Sequence, residues 1–512
     1  MKTLNLFGKL FVVAFIVLLW GCSDNNNDPA DPGTDPGTDP DAEQILFNNG
    51  AEIGNGERDF YVKESHTIKK GTYVLKGWVY IEDGATLTIE PGTVIKGDKD
   101  TKAALIAKRG GKLIAKGTVT EPIIFTSNQE KGKRKPGDWG GIILCGRAKN
   151  NTDINEGMPI EGGPLATHGG NDDNDNSGIV SYVRIEFAGY PFETDLEING
   201  LTMGSVGKAT QIDHVQVSYS NDDSFEWFGG TVNAKYLIAY YGWDDDFDTD
   251  NGFSGKLQFL LGIRNPKLAD QSLSNGFESD NNSNGTTDSP YTSAVFSNVT
   301  LIGPMGQASD FANTTQYITG DGMNPNNGSR LGVFQSAVQI RRNSRLNLFN
   351  SIATGYPVGL LLDNQKGTTH TWAKEGALKI QNNLFAGMGI LGSDINKQAN
   401  GWTDQESTDG TAVTDPTKAS VSSTIFNIVA NNNKALASIS DLKLSQPDSK
   451  ASNPNYGPVT GSPALGAASF NDAFLQDSFF AKVTYSGAFA SDSDADNWLK
   501  DWTNFDPQNT VY

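Results

Sequence analysis

The chain has 512 residues, with 60 Asp or Glu against 40 Lys or Arg, so its net charge is −20. This charge argues against a general nucleic-acid-binding protein, which needs a basic surface to neutralise phosphates. The two cysteines, Cys22 and Cys145, are too few for a disulfide framework or a multi-cysteine zinc site. The four histidines are widely separated, which argues against a histidine-based metal site.

The N-terminal segment has the pattern of an export signal. Lys2 and Lys9 precede an apolar run over residues 10–20, which is too short to span a bilayer but typical of a signal-peptide core. The run ends in Leu-Trp-Gly-Cys at residues 19–22, which resembles a bacterial lipobox. We therefore predict a lipoprotein signal peptide at residues 1–21 and lipidation at Cys22. A secretory signal followed by a chance cysteine is the alternative.

The next segment predicts a tether. Ser-Asp-Asn-Asn-Asn-Asp at residues 23–28 resembles the export signal of Bacteroidetes lipoproteins, which places them on the outer leaflet. Residues 29–44 are rich in Pro and Asp and contain Asp-Pro-Gly-Thr twice, which favours an extended, solvated chain. We predict that residues 22–44 are a linker and that the protein is lipid-anchored in the outer membrane and exposed on the cell surface.

The body of the chain consists of short β-rich runs separated by glycine, asparagine and aspartate. No amphipathic helix of ordinary length stands out, which predicts an all-β fold. The clearest predicted strands lie near glycine turns and are Trp78–Ile81, Thr86–Ile89, Thr93–Lys96, Ala104–Ala107 and Lys112–Ala115.

An internal repeat specifies the kind of all-β fold. Residues 215–230 align with residues 237–252 at an offset of 22, which places Phe225 on Phe247. A third copy begins at Leu257 with the same expected offset, takes an eight-residue insertion and resumes at Phe277. A period near 22 residues without helices is typical of one turn of a parallel β-helix, whose turns stack at roughly 4.8 Å.

Three segments resemble the right-handed β-helix superfamily that includes the pectate lyases. They are GATLTIEPGTVIKG at residues 84–97, GDWGGI at 137–142 and NPNYGPVTGSPALGA at 453–467. The resemblance covers roughly residues 70–468. It implies a single-stranded right-handed parallel β-helix with terminal caps, but no particular activity, because this superfamily contains lyases, hydrolases and adhesins.

The resemblance divides the body of the chain into three parts. We expect an N-terminal cap at residues 45–70, the parallel β-helix at residues 71–468 and a C-terminal capping segment at residues 469–512. In that last segment, Trp498, Trp502 and Phe505 are expected to cover the open end of the coil.

The repeat also aligns a set of acidic residues. If the aligned phenylalanines and Trp227 face inward, the residues at the alternate positions of each strand face outward. The outward carboxylates are then flanked, at the turn before the strand, by Asp222, Asp223, Asp244 and Asp245. Carboxylates packed this closely repel one another, and oxygen ligands without His or Cys favour Ca²⁺. The alternative is a solvated acidic face. The predicted metal ligands are Glu226, Asp246, Asp248, Asp250, Glu278 and Asp280.

The favoured functional hypothesis is a non-enzymatic surface lipoprotein that binds Ca²⁺ and, through the cation or beside it, a glycan or a protein partner. By analogy with Bacteroidetes surface lipoproteins, a TonB-dependent outer-membrane transporter is a candidate partner. Two alternatives stay open. One is a Ca²⁺-dependent polysaccharide lyase with Arg341 as its base, although Arg341 can instead pair with the acidic residues. The other is a structural or adhesive coil without a specific ligand.

Overall fold

Short parallel strands stack in register along the chain in the computed structural model, which describes residues 52–152, 157–193, 196–325, 327–392, 419–445 and 453–512. Two parallel ladders account for nearly all the strands. The predicted signal peptide, the predicted lipidation site at Cys22 and the predicted tether all lie outside the described residues. The described part of the chain is a parallel β-helix, as the repeat predicted.

The first ladder is an 11-stranded sheet that takes one strand from each turn. Its strands are Phe60–Val62, Trp78–Ile81, Ala104–Ala107, Gly141–Cys145, Leu201–Val206, Phe225–Gly230, Phe247–Asp250, Phe277–Ser279, Ser336–Ile340, Val358–Leu362 and Ile390–Gly392.

The second ladder is a 17-stranded sheet with two columns of strands, and long strands such as Gly178–Glu186 run through both columns. Three columns of strands therefore surround the interior. The strands of the second ladder are Glu52–Ile53, His66–Ile68, Thr72–Leu75, Thr86–Ile89, Val94–Gly97, Lys112–Lys116, Ile123–Ser127, Gly178–Glu186, Gln211–Ser218, Ala234–Tyr240, Lys256–Ile263, Val295–Ile302, Asn347–Phe349, Ile352–Thr354, Ile380–Gln381, Leu384–Ala386 and Lys434–Leu436.

The remaining described elements are short. Two small antiparallel hairpins pair Met158–Pro159 with Thr167–His168, and Pro191–Glu193 with Leu196–Glu197. The α-helices and 3₁₀ helices are Pro304–Gln307, Thr369–Glu375, Val421–Phe426, Val429–Asn431, Ile439–Leu442, Ala473–Leu475, Asp494–Asp496 and Pro507–Asn509.

Within the described residues, the longest α-helix has seven residues, and none is of the length and apolar character that a bilayer crossing requires.

The repeat register is confirmed where the acidic residues lie. Phe225 pairs with Phe247 and Phe247 with Phe277, and their rings lie one above the other at centroid distances of 5.7 and 5.4 Å. All three rings are fully buried in the main core, as is Trp227. The third copy was expected at an offset of 22 residues. The observed offset is 23, because Leu237 pairs with Leu260.

One corner of the coil holds a residue in the left-handed conformation in successive turns. Tyr182 has φ near 50°, and the matching positions in the next turns are His214, Tyr236 and Phe259, also with positive φ. The four rings stack at centroid distances of 4.3, 4.4 and 5.2 Å. This stack projects outward from the corner and provides an apolar strip on the side of the β-helix.

Of the N-terminal cap predicted at residues 45–70, the described part, residues 52–70, is instead the first described turn of the coil. Glu52–Ile53 pairs with Val74 and Leu75, and Phe60–Val62 pairs with residues 79–81. The ladder therefore begins before residue 71. At the other end, the helix Val421–Phe426 contributes buried apolar residues to the main core and packs against the last turns.

The C-terminal segment lies along the side of the β-helix and not over its end, so the capping prediction for Trp498, Trp502 and Phe505 is wrong. Trp502 contacts the corner stack edge-on, 5.7 Å from the His214 ring. The physical reason is that the segment packs on the aromatic strip at the corner and forms hydrogen bonds with a row of amide side chains along the same side. The two-way amide–backbone pairs are Gln216 with Asn504, Gln258 with Ala481 and Asn350 with Ser469.

Candidate functional site: an acidic cleft

Three successive strands of the 11-stranded sheet place carboxylates side by side. Glu226 pairs in register with Asp248, and Asp248 with Glu278. Because the neighbouring phenylalanine at each level points into the core, these carboxylates point outward. The stacking of strands therefore forms the predicted acidic row from residues that are 22 and 30 positions apart.

The Asp-Asp pairs that precede two of these strands extend the row. Carboxylate oxygens of Asp223, Glu226 and Asp248 lie within 4.8 Å of one another, and so do those of Asp222, Asp223 and Asp244. Asp223 belongs to both groups and is the centre of the cluster. It was only a flanking residue in the sequence prediction, although its recurrence 22 residues later as Asp245 signalled its place.

The cluster lies in a cleft of about 830 Å³. The segment at residues 327–330 and the loop at residues 270–273 line the cleft along with the acidic row. Glu161, Glu197 and Asp270 add further carboxylates to the lining, and no repeat in the sequence pointed to them. The cleft is therefore strongly acidic.

Burial and mutual repulsion disfavour ionisation of these groups. Asp223 is 7% exposed and Glu226 is 6% exposed. Burial raises the pKa values of Asp223, Glu226 and Asp248 well above their usual range, and neighbouring carboxylates raise them further. The same two causes raise the pKa of Asp244 to about 8. A bound cation would remove both the repulsion and part of the desolvation cost.

Hydrogen bonds satisfy only part of the cluster. Asp223 Oδ1 accepts from the Asp245 backbone N–H at 2.8 Å, and Glu226 accepts from the Asn199 side-chain amide. One oxygen of Asp248, Oδ1, is buried without a hydrogen-bond partner, and so is the amide Oδ1 of Asn221, which lines the same cleft. These oxygens are the donor type that Ca²⁺ prefers.

Two of the predicted ligands are already neutralised by arginine. Arg341 Nε donates to Asp280 Oδ1 at 2.9 Å, and its Nη2 donates to Glu278. Arg342 Nη1 donates to the other Asp280 oxygen at 2.6 Å. Glu278 and Asp280 thus lie in the row as predicted, but their charge is paired within the protein. Asp250 lies at the far end of the row, in register with Phe228.

Asp246 does not share the outer face, which corrects the sequence prediction. It is fully buried, accepts a hydrogen bond from Arg264 Nη1 at 2.9 Å and lies 3.4 Å from the Tyr356 hydroxyl. Burial raises its pKa to about 6, although Arg264 acts in the opposite direction. The reason for the error is that the strand begins at Phe247, so strand alternation does not extend to Asp246.

The surroundings of Arg341 bear on the lyase alternative. Burial lowers the pKa of this guanidinium, but the charges of Glu278 and Asp280 outweigh burial and hold the pKa above its usual range. A proton-abstracting base must spend part of its time deprotonated at the working pH. The two ion pairs therefore disfavour Arg341 as a base.

A family model described as a pectate-lyase-like beta helix domain matches residues 61–437. The chain belongs to this family. Among solved structures, this pectate-lyase-like β-helix is similar to the crystal structure of the Dettilon tailspike protein, with 11% sequence identity and a TM-score of 0.24. The match covers 69% of this chain and 65% of the tailspike chain, so just under two thirds of the tailspike is represented. No curated protein matches this chain.

Proposed function

We propose that this β-helix binds Ca²⁺ in the acidic cleft through Asp223, Glu226 and Asp248. The supporting observation is that these three carboxylates lie within 4.8 Å of one another and, among the described residues, form no ion pair with Lys, Arg or His. Buried anions without a cationic partner are costly, and a divalent cation is the simplest compensation.

The donor chemistry fits calcium. Ca²⁺ takes six to eight oxygen ligands in flexible geometry, whereas sites for zinc and copper include nitrogen or sulfur ligands from His, Cys or Met. The three carboxylates supply part of that number, and the volume of the cleft leaves room for water or for oxygen atoms of a ligand. The cation would then present a positive centre on an otherwise acidic surface.

The wider function that we propose is that of a non-enzymatic lipoprotein on the cell surface. The lipobox-like sequence ending at Cys22, the acidic export signal and the Pro/Asp tether support an outer-membrane anchor in a Bacteroidetes-type envelope. The partner is a glycan or a protein, held through the cation or beside it, and a TonB-dependent transporter is a candidate by analogy. Eliminative cleavage of pectate, alginate or glycosaminoglycans, measured by ultraviolet absorbance of the unsaturated product, would favour the lyase alternative instead.

Calcium is expected to stabilise the protein. A ligand that binds only the folded state adds about 2.7 kcal/mol at a free concentration of 100 times its Kd. We expect calorimetry to show a higher unfolding temperature in Ca²⁺ than in chelator, and no such difference in the double variant Asp223→Asn/Glu226→Gln.

The matched control for this experiment is Asp59→Asn, which removes an exposed carboxylate of the first described turns, outside the cleft lining. It should keep the full calcium effect. An unfolding temperature that does not respond to Ca²⁺, or that responds equally in the double variant, would contradict the proposed site.

A further inference from the structure

The acidic row changes character at the strand Ser336–Ile340, which is the next strand of the ladder after Phe277–Ser279. At the same offset of 61 residues, the position of Asp280 is taken by Arg341. The Arg341 backbone N–H donates to the Ser279 oxygen at 2.9 Å, so the ladder continues one residue beyond the strand. A basic side chain therefore occupies the next position of the row.

The backbone after this strand directs a second arginine to the same carboxylate. Arg342 and Asn343 have φ values of 50° and 70°, in the left-handed region. Strand alternation therefore ends here, and both Arg341 and Arg342 reach Asp280. The Asn343 side chain is buried, and its Oδ1 accepts from Trp372 Nε1 at 3.0 Å. The turn that carries the two guanidinium groups is thus itself held in place.

The two arginines satisfy this part of the row as a bridging cation would. Arg341 joins two carboxylates, because its Nη2 donates to Glu278 and its Nε donates to Asp280 Oδ1 at 2.9 Å. Arg342 Nη1 binds the other Asp280 oxygen at 2.6 Å. The Glu278 and Asp280 side chains are only 17% and 6% exposed, so removal of their cationic partners would leave poorly solvated charges.

The N-terminal end of the row, formed by Asp223, Glu226 and Asp248, has a different arrangement. Within the part of the chain that the structure describes, these carboxylates form no ion pair with Lys, Arg or His. Burial and neighbouring carboxylates raise the pKa values of Glu226 and Asp248 together. Burial also raises the pKa of Glu278, but there the arginines act in the opposite direction. One end of the row is therefore compensated internally and the other is not.

We propose that Arg341 and Arg342 hold the place of a second cation and so restrict the acidic cleft to one Ca²⁺, bound at the N-terminal end of the row. The inference rests on the proposed function and deepens it, because it fixes the number of cations and names the residues that set it. A second Ca²⁺ on Glu278 and Asp280 would have to displace two guanidinium groups that already neutralise these carboxylates.

The test counts the Ca²⁺ ions bound to the purified full chain, by equilibrium dialysis with metal analysis and by native mass spectrometry. We expect one Ca²⁺ in the unmodified protein. The variant Arg341→Gln/Arg342→Gln should bind two, because the carboxylates that it frees become oxygen ligands. Adding Asp223→Asn/Glu226→Gln to that variant should return the number to one.

The matched control is Arg147→Gln, which removes an arginine from an ion pair outside the cleft lining, where its Nη2 lies 2.6 Å from Asp83 Oδ2. It should bind one Ca²⁺. A second control removes both partners of the internal pairs, as Arg341→Gln/Arg342→Gln/Glu278→Gln/Asp280→Asn, and should also bind one. If this control folds but the variant that lacks only the arginines does not fold even in Ca²⁺, the cation cannot replace them and the proposal is overturned.

The remaining outcomes separate this inference from the proposed function. Two Ca²⁺ ions in the unmodified protein, or one in Arg341→Gln/Arg342→Gln, would overturn the role of the arginines and leave the calcium site intact. Binding of Ca²⁺ only after the arginines are replaced would contradict the proposed site but support their role as a built-in counter-ion. No bound Ca²⁺ in either protein would overturn both.

Discussion

In calcium-free buffer, the protein is expected to be more stable near pH 5 than at pH 8. In the folded state, burial and neighbouring carboxylates raise the pKa values of Asp223, Glu226 and Asp248, and raise that of Asp244 to about 8. In the unfolded chain, the same groups return to pKa values of about 4. The folded state therefore binds more protons between these limits, and stability falls as the pH rises through the folded pKa values.

The expected effect is large because several groups contribute in the same direction. One pKa unit corresponds to about 1.4 kcal/mol, so the free energy of unfolding should drop by at least that amount between pH 5 and pH 8. Urea unfolding at the two pH values measures the difference directly. Saturating Ca²⁺ should reduce it, because the cation takes over the compensation that protons provide.

The matched variant is Asp223→Asn/Glu226→Gln/Asp248→Asn, which keeps the shapes of the side chains but removes their titration. Its stability should change much less between pH 5 and pH 8. A calcium-free protein that is equally stable at both pH values, or more stable at pH 8, would show that the cluster ionises without strain and would remove the argument for a cation.

Replacing Arg264 by Met is expected to lower the free energy of unfolding by about 3–5 kcal/mol. Arg264 and Asp246 form an ion pair in which both side chains are fully buried. Breaking a buried ion pair by removing one partner leaves an uncompensated charge in the interior, which carries a penalty of this size. Urea unfolding at pH 8, where Asp246 with its pKa of about 6 is ionised, gives the measurement.

The double variant Arg264→Met/Asp246→Leu distinguishes loss of charge compensation from loss of packing. Replacing both members of a buried pair by apolar residues is often neutral or stabilising, so most of the lost stability should return. Should the single variant be too unstable to purify, recovery of soluble protein in the double variant carries the same information. A single variant within about 1 kcal/mol of the unmodified protein would contradict the expectation.

The acidic row could be predicted because two simple periods act together. The 22-residue repeat aligned Phe225 with Phe247, and strand alternation then placed Glu226 and Asp248 outward, as the register confirms. The failure at Asp246 has a local cause, since alternation holds only inside a strand. One residue before the strand begins, the chain is free to turn a side chain toward Arg264.

The sequence left two roles open for Arg341, either the base of a lyase or a partner in an ion pair with the acidic residues. The pairing of Val338 with Phe277 places Arg341 beside Asp280. Sequence spacing alone could not decide between a free base and an ion pair, because 61 residues separate the two groups. That choice depends on side-chain distances, which have no periodic signal.

The ends of the β-helix were the least predictable part of the fold. Trp498 and Trp502 pack against the side of the β-helix, whereas the sequence prediction placed them over its open end. The contacts that position them join residues far apart in the chain, such as Gln216 and Asn504, which are 288 positions apart. Neither partner carries a local pattern that identifies the other.

The C-terminal segment along the side of the β-helix has a consequence for unfolding cooperativity. In a simple solenoid each repeat contacts only its neighbours, so the array can fray or melt in parts. Here one segment is bonded to turns as distant as those of Gln216 and Asn350. Distant turns are thus joined by one shared segment. Unfolding of one turn removes contacts of that segment and so destabilises the other turns that it contacts. We expect the described β-helix to melt in one concerted transition.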